Sequence, residues 1–119
     1  MPPHDLVRRR AALMSDAAIS PSVHRVVAEY IESVGQLELL LLLRRTRERE
    51  WDPDEASRQL RTSVQLAQAA LDRLACHGLA KRTSGGYTYA ATGQLDTDIA
   101  QLDRVFATHR TRVISLIFA

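Results

Sequence analysis

The chain has a single cysteine, Cys76, in 119 residues. One cysteine excludes an internal disulfide and supplies no cysteine-based metal framework. Long apolar runs are also missing. The longest, Leu39 to Leu43, is far short of the ~20 residues that a membrane-spanning helix needs. The first twenty residues carry Arg8-Arg9-Arg10, but no apolar stretch of signal-peptide length follows. A soluble, cytoplasmic protein with no membrane partner is expected. Charge of one sign is scarce: 16 Lys and Arg stand against 14 Asp and Glu, a formal net charge of +2, so global charge does not announce nucleic acid. Catalytic groupings are absent as well. His4, His24, His77 and His109 have no zinc-ligand spacing to a Cys, Asp or Glu. No general acid–base pair or activated nucleophile can be assembled from neighbouring residues. Gly85-Gly86 lacks the rest of a phosphate-binding glycine motif and reads as a turn. The expectation is a protein that is not an enzyme and has no metal and no cofactor.

What is present suits one globular domain, with 45% hydrophobic residues in a chain long enough for a core. Residues 1–19 form an arm in which Asp5–Met14 has some helical character; a solvated terminus is the plainer reading of Arg8-Arg9-Arg10, contact with DNA phosphates the sharper one. Residues 20–33 make a leading helix. Ser20 caps it, Pro21 opens the first turn, and Val23, Val26, Val27, Tyr30, Ile31 and Val34 recur at helical spacing. Ser33 and Gln36 have capping-box spacing and restart the helix. Leu37 and Leu39–Leu43 make this second helix apolar nearly all round, which marks the centre of the core. Its charged end, Arg44 to Glu50, reads as a solvated helix terminus.

Asp52-Pro53-Asp54-Glu55 is the strongest local start signal: Asp52 as N-cap, Pro53 at the first helical position and Glu55 completing a capping box, with Trp51 as a staple behind it. A short helix to Leu60 follows, with Ala56 and Leu60 on the core side. Thr62 or Ser63 then caps the next helix, in which Val64, Ala67, Ala70, Leu71 and Leu74 form an apolar stripe. His77-Gly78 ends it, and Leu79 supplies the apolar contact behind the stop. The segments Leu79–Arg82 and Tyr87–Ala90 around Gly85-Gly86 read as a β-hairpin. From about Asp96 to Ile117 a last helix is expected, ~33 Å long at ~1.5 Å per residue. Its seam of Leu95, Ile99, Leu102, Phe106, His109, Val113 and Ile117 recurs at spacings of four and three, which asks for a partner helix from a second copy. Cys76 beside His77 reads as a small apolar filler rather than a redox sensor.

The segment ALDRLACHGLAKRTSGGYTYAAT resembles the recognition helix and wing of bacterial winged helix-turn-helix regulators of the MarR and PadR types. The residues that carry the resemblance are Leu71-x-x-Leu74, Gly78-Leu79, Lys81-Arg82, the glycine hairpin and Tyr87-x-Tyr89, within a stretch of roughly residues 34–91. It implies a mainly α fold with a small β-hairpin wing, a winged helix-turn-helix over residues 34–92 and a long C-terminal dimerisation helix over residues 93–119. It also implies a homodimeric transcriptional regulator that binds double-stranded DNA. Under that reading Ser63, Gln65 and Gln68 contact bases, because Gln pairs with adenine and Ser bonds either base or phosphate. Arg58, Arg61, Arg73, Lys81 and Arg82 hold phosphates, and two copies meet half-sites about 34–36 Å apart.

The residues also support a different class of function. The recognition-like helix has no Arg or Lys in its first two turns, Asp72 faces repulsion from phosphate, the hairpin tip is neutral, and Leu66 falls on the groove-facing side. A winged-helix adaptor that holds another protein on the same surface is therefore the alternative. Steep salt dependence separates the two, because counterion release governs DNA binding.

Overall fold

The computed structural model describes residues 19–118. The arm, including Arg8-Arg9-Arg10 and the helix expected over Asp5–Met14, lies outside the described residues. Six helices and a hairpin follow one another: α1 (Pro21–Tyr30), α2 (Val34–Arg45), α3 (Pro53–Leu60), α4 (Val64–Cys76), β1 (Ala80–Thr83), β2 (Gly86–Tyr89), α5 (Gly93–Thr108) and α6 (Arg110–Ile117). The described chain is thus mainly helical with one two-stranded antiparallel sheet.

Side-chain caps set the starts of four helices. Ser20, Ser33, Asp52 and Ser63 accept hydrogen bonds from the backbone N–H of Val23, Gln36, Glu55 and Leu66 at 3.3, 3.1, 2.8 and 3.1 Å. Each satisfies an amide that the first turn leaves without a partner, typically worth about 1 kcal/mol. The reciprocal halves of the expected capping boxes differ. Gln36 is buried; its carboxamide accepts from the Glu32 N–H at 2.7 Å and donates to the Tyr30 carbonyl at 2.7 Å. This clasp at the α1–α2 junction, with extended backbone at Ile31, ends α1 at Tyr30 rather than at Ser33. Glu55 turns away from its own helix to an ion pair with Arg49 at 2.6 Å.

Helix α2 is the centre of the core. Leu37, Leu39, Leu40, Leu41 and Leu43 are all buried, and α4 packs on its flank through Ala67, Leu71 and Leu74. Truncating one of these leucines to Ala leaves a cavity and costs about 2–5 kcal/mol.

Trp51 does more than precede a cap. Its N–H donates to the Tyr87 carbonyl at 2.9 Å and its carbonyl accepts from the Tyr87 N–H at 2.8 Å, a bridge that adds a rung beside β2. The buried indole donates from Nε1 to Thr46 Oγ1 at 2.8 Å, and the Arg49 guanidinium lies over its ring at 3.7 Å. The bridge explains Gly86. This residue pairs with Thr83 inside the strand register, so the hairpin tip is Ser84-Gly85 rather than Gly85-Gly86. At Gly86 φ is +138°, and a Cβ there would sit 2.3 Å from the Trp51 carbonyl oxygen. Only glycine allows two backbones to approach that closely.

The C-terminal helix expected to run unbroken is two helices. It breaks at His109 (φ −129°, ψ 47°), between α5 and α6. The Thr108 hydroxyl contacts the Arg104 and Val105 carbonyls and the His109 ring at its Nδ1. Side-chain bonding of this kind competes with the helix backbone and bends helices. The break lets α6 lie against α1, so that Val113 becomes fully buried.

The seam assigned to a second copy is largely covered from within the chain. Ile99, Leu102, Phe106 and Val113 are buried in one continuous core with Val23, Val26 and Val27 of α1. Leu95, His109 and Ile117 remain partly exposed. The spacing did signal a partner helix, but α1 of the same chain fills that place, packed against both α5 and α6 across the break at His109.

Candidate functional site

Helix α3, the turn at Arg61, helix α4 and the hairpin carry all the residues to which the sequence assigned DNA contacts. Arg61 caps α3 in the left-handed conformation, φ 55° and ψ 49°, an uncommon state for a residue other than glycine. Thr62 donates its N–H to the Ser57 carbonyl at 3.0 Å, and Ser63, not Thr62, caps α4.

In α4, Ala67, Leu71 and Leu74 face the core. Residues 65, 68, 69, 72 and 76 follow at steps of three and four on the opposite face, and all but the half-buried Gln68 are exposed. Val64, expected in the buried stripe, is 41% exposed, and Leu66 is 64% exposed. The first turn of α4 projects past the surface that covers the later turns. Leu66 there borders a cleft of about 400 Å³ with Val34, Leu39, Leu60, Arg61 and Ala70. Cys76 is exposed, so it fills no core space.

The expected base-contacting residues have different surroundings. Ser63 spends its hydroxyl oxygen on the cap. Gln65 is exposed and bonds no other described side chain. Gln68 donates from Nε2 to Asp72 Oδ1 at 3.0 Å and to the Tyr87 hydroxyl at 2.9 Å. The expected phosphate-contacting residues divide in the same way. Arg73 forms a two-nitrogen pair with Glu32, in the α1–α2 junction. Arg82 donates from Nε to the Tyr87 hydroxyl at 3.1 Å and from Nη2 to Asp72 Oδ1 at 3.2 Å, with its guanidinium 5.6 Å from the Tyr87 ring centre. Arg58, Arg61 and Lys81 are exposed and form no ion pair with any described residue.

Two residues absent from the sequence-level assignment organise this surface, Asp72 and Tyr87. The buried Tyr87 hydroxyl donates to Asp72 Oδ1, and that bond, followed by the one from Gln68, holds the Asp72 carboxyl below its ordinary range. The same contacts keep the Arg82 guanidinium firmly protonated, with Tyr87 the first cause. The four side chains lock the hairpin to α4. The Gln68–Asp72 spacing of four was visible in the sequence as a helical pair; the link to Tyr87 and Arg82 depends on hairpin register.

Among the described residues no three His, Cys, Asp or Glu side chains group as a metal site, and no helix is long and apolar enough to cross a membrane. Comparison with protein-family models, with curated proteins and with solved structures gives no match, so the surface is read from its own chemistry.

Proposed function

We propose that the chain is a winged helix-turn-helix DNA-binding transcriptional regulator of the MarR/PadR type, in which α3 and α4 are the helix-turn-helix and the β1–β2 hairpin is the wing. The carrying observation is the placement of Arg58, Arg61 and Lys81. These exposed cations flank α4 and have no ion-pair partner among the described residues, whereas Arg44, Arg45, Arg47, Arg49, Arg73, Arg82 and Arg110 are all paired; Arg25 on α1 and Arg104 on α5 are exposed and without such a partner too, so it is the position beside α4 that sets the three apart. The left-handed backbone at Arg61 adds weight. Glycine would sit there without strain, and an arginine held there is consistent with a use for its side chain.

In this reading α4 enters the major groove. Arg58, Arg61 and Lys81 hold phosphates, and Gln65 is the base reader free to pair with adenine. Gln68 presents only its carboxamide oxygen, because Nε2 is engaged. Arg73 contributes little, being neutralised away from the groove by Glu32. Two copies act together, paired through the C-terminal end, where Leu116 and Ile117 are partly exposed and Phe118 is 72% exposed.

The test is fluorescence anisotropy with random and genomic duplexes at several salt concentrations, on protein whose solution mass is known. Six phosphate contacts in a dimer should make log K fall against log salt with a slope of about −5. Binding that is absent even at low salt overturns the reading.

Val64 and Leu66 favour a second reading, a winged-helix adaptor that seats a protein partner on the head of α4 and the adjoining cleft. Salt-insensitive capture of a protein, lost in Leu66→Asp, would support it.

A further inference from the structure

We infer that Asp72 reads a cytosine, with Tyr87, Gln68 and Arg82 acting as positioning residues; the inference rests on the DNA-binding reading above. An aspartate on a groove-facing helix ordinarily weakens binding, since phosphates repel it. Here its surroundings change the outcome. Gln68 Nε2, Arg82 Nη2 and the Tyr87 hydroxyl all donate to the same oxygen, Oδ1. Tyr87 in turn accepts from Gln68 Nε2 at 2.9 Å and from Arg82 Nε at 3.1 Å, so the donors brace one another. The carboxylate is fixed in rotation, and its charge is balanced by the adjacent guanidinium. Oδ2 receives no hydrogen bond from any described residue, and the Asp72 side chain is 47% exposed.

The result is a rigid, acceptor-only group on the outer face of α4. In the major groove an acceptor needs a base-edge donor. Cytosine offers its N4 amino group with only a C–H beside it on its own ring, so the paired guanine O6 is an acceptor on one side alone. Adenine also offers an amino group, but its adjacent N7 lone pair repels a carboxylate, and guanine and thymine present acceptors. Asp72 lies seven residues beyond Gln65 on the same face. That is roughly 10 Å along the helix, about three base-pair steps. The cytosine should therefore fall about three positions from the base that Gln65 faces.

The experiment is selection from a pool of duplexes randomised over about two helical turns, with the wild-type chain, Asp72→Asn, Asp72→Ala and Tyr87→Phe. Thermal melts by circular dichroism accompany each variant, and Asp72→Asn, which keeps the side-chain shape, carries the test if Asp72→Ala melts early. Wild type should favour cytosine about tenfold at one position of each half-site. Asp72→Asn should move that position to adenine, and Asp72→Ala should level it. Tyr87→Phe should weaken the preference there a few-fold and leave the other positions unchanged. If both Asp72 variants select the wild-type sequence and only bind all duplexes more or less tightly, Asp72 is a hairpin anchor and the inference is overturned while the DNA-binding reading stands. If wild type selects nothing and its binding does not respond to salt, the DNA-binding reading itself is overturned.

Discussion

At the end of α2, Arg44, Arg45 and Arg47 converge on Asp96 and Asp103 of α5; at the end of α3, Arg58 and Arg61 meet no carboxylate among the described residues. The first region is an ion-pair knot. Asp96 takes Arg47 at 3.2 Å and lies 3.4 Å from Arg44 Nε, which is buried there without a well-formed hydrogen bond. Tyr89 donates to the same carboxylate at 2.7 Å, and Arg47 lies over its ring at 5.2 Å. Burial first, and then Asp96, pushes the Tyr89 phenol well above its usual range; the Tyr89 hydrogen bond, ahead of Arg47 and Arg44, holds the Asp96 carboxyl below its own. The second region has cations of the same chemistry that no described residue neutralises. An arginine-rich run therefore does not mark a nucleic-acid surface. Only positive charge left over after the fold has paired what it can is available to an anionic partner.

The hairpin joins the knot to α4, with Tyr89 bonded to Asp96 and Tyr87 to Asp72, and Gly86 lies next to Tyr87 in the same strand. Gly86→Val should break the comparison outright. Its Cβ meets the Trp51 carbonyl and its φ is unfavourable for any L side chain, so a loss of about 3 kcal/mol or more is expected in urea unfolding. The next effect separates the two regions by function. Replacing Arg58, Arg61 and Lys81 together by Ala should lower duplex affinity about 10- to 100-fold at physiological salt and reduce the salt slope by about 2.7 per chain, with the melting temperature little changed. Asp103→Asn sharpens the contrast from the other side. Its partners Arg45 and Arg44 are partly solvated, so stability should fall by only about 0.5–1 kcal/mol, and DNA affinity should hold.

The smallest effect is acid sensitivity. Asp72 and Asp96 both have carboxyls depressed in the folded state. Their contribution is complete above the unfolded carboxylate range and is lost as pH falls through the lower folded values. Melting temperature should drop below about pH 4. Asp96→Asn should remove part of that drop, and a pH series of melts on the two proteins would show it.

Much of the local structure was legible. Ser20, Ser33 and Asp52 announced three helix starts, and the Thr62-Ser63 pair a fourth without deciding between its two members, because a cap depends on three or four adjacent residues. Leu37 and Leu39–Leu43 announced the core, and Gly78 the stop before the hairpin, at φ +78°. Long-range partners were not legible. Trp51 meets Tyr87 across 36 positions, and Arg73 meets Glu32 across 41. Nothing in a window around Gln68 shows that its amide is already engaged by Tyr87. The three-and-four spacing from Leu95 to Ile117 is the same whether the covering helix comes from another copy or from α1, since periodicity records that a face is apolar and not what lies on it.

By itself, then, the sequence determined where helices begin, which of their faces are apolar and where the chain must turn, because those are contests between neighbouring residues over hydrogen bonds and burial. Tertiary structure alone decided which charges are cancelled and which remain. It paired Arg44, Arg45 and Arg47 with α5, drew Arg82 and Gln68 onto Asp72, and left Arg58, Arg61 and Lys81 exposed, with no ion-pair partner among the described residues. Coulomb attraction falls with distance and is screened by salt, so a charge is neutralised only by a partner that the fold brings within a few ångströms.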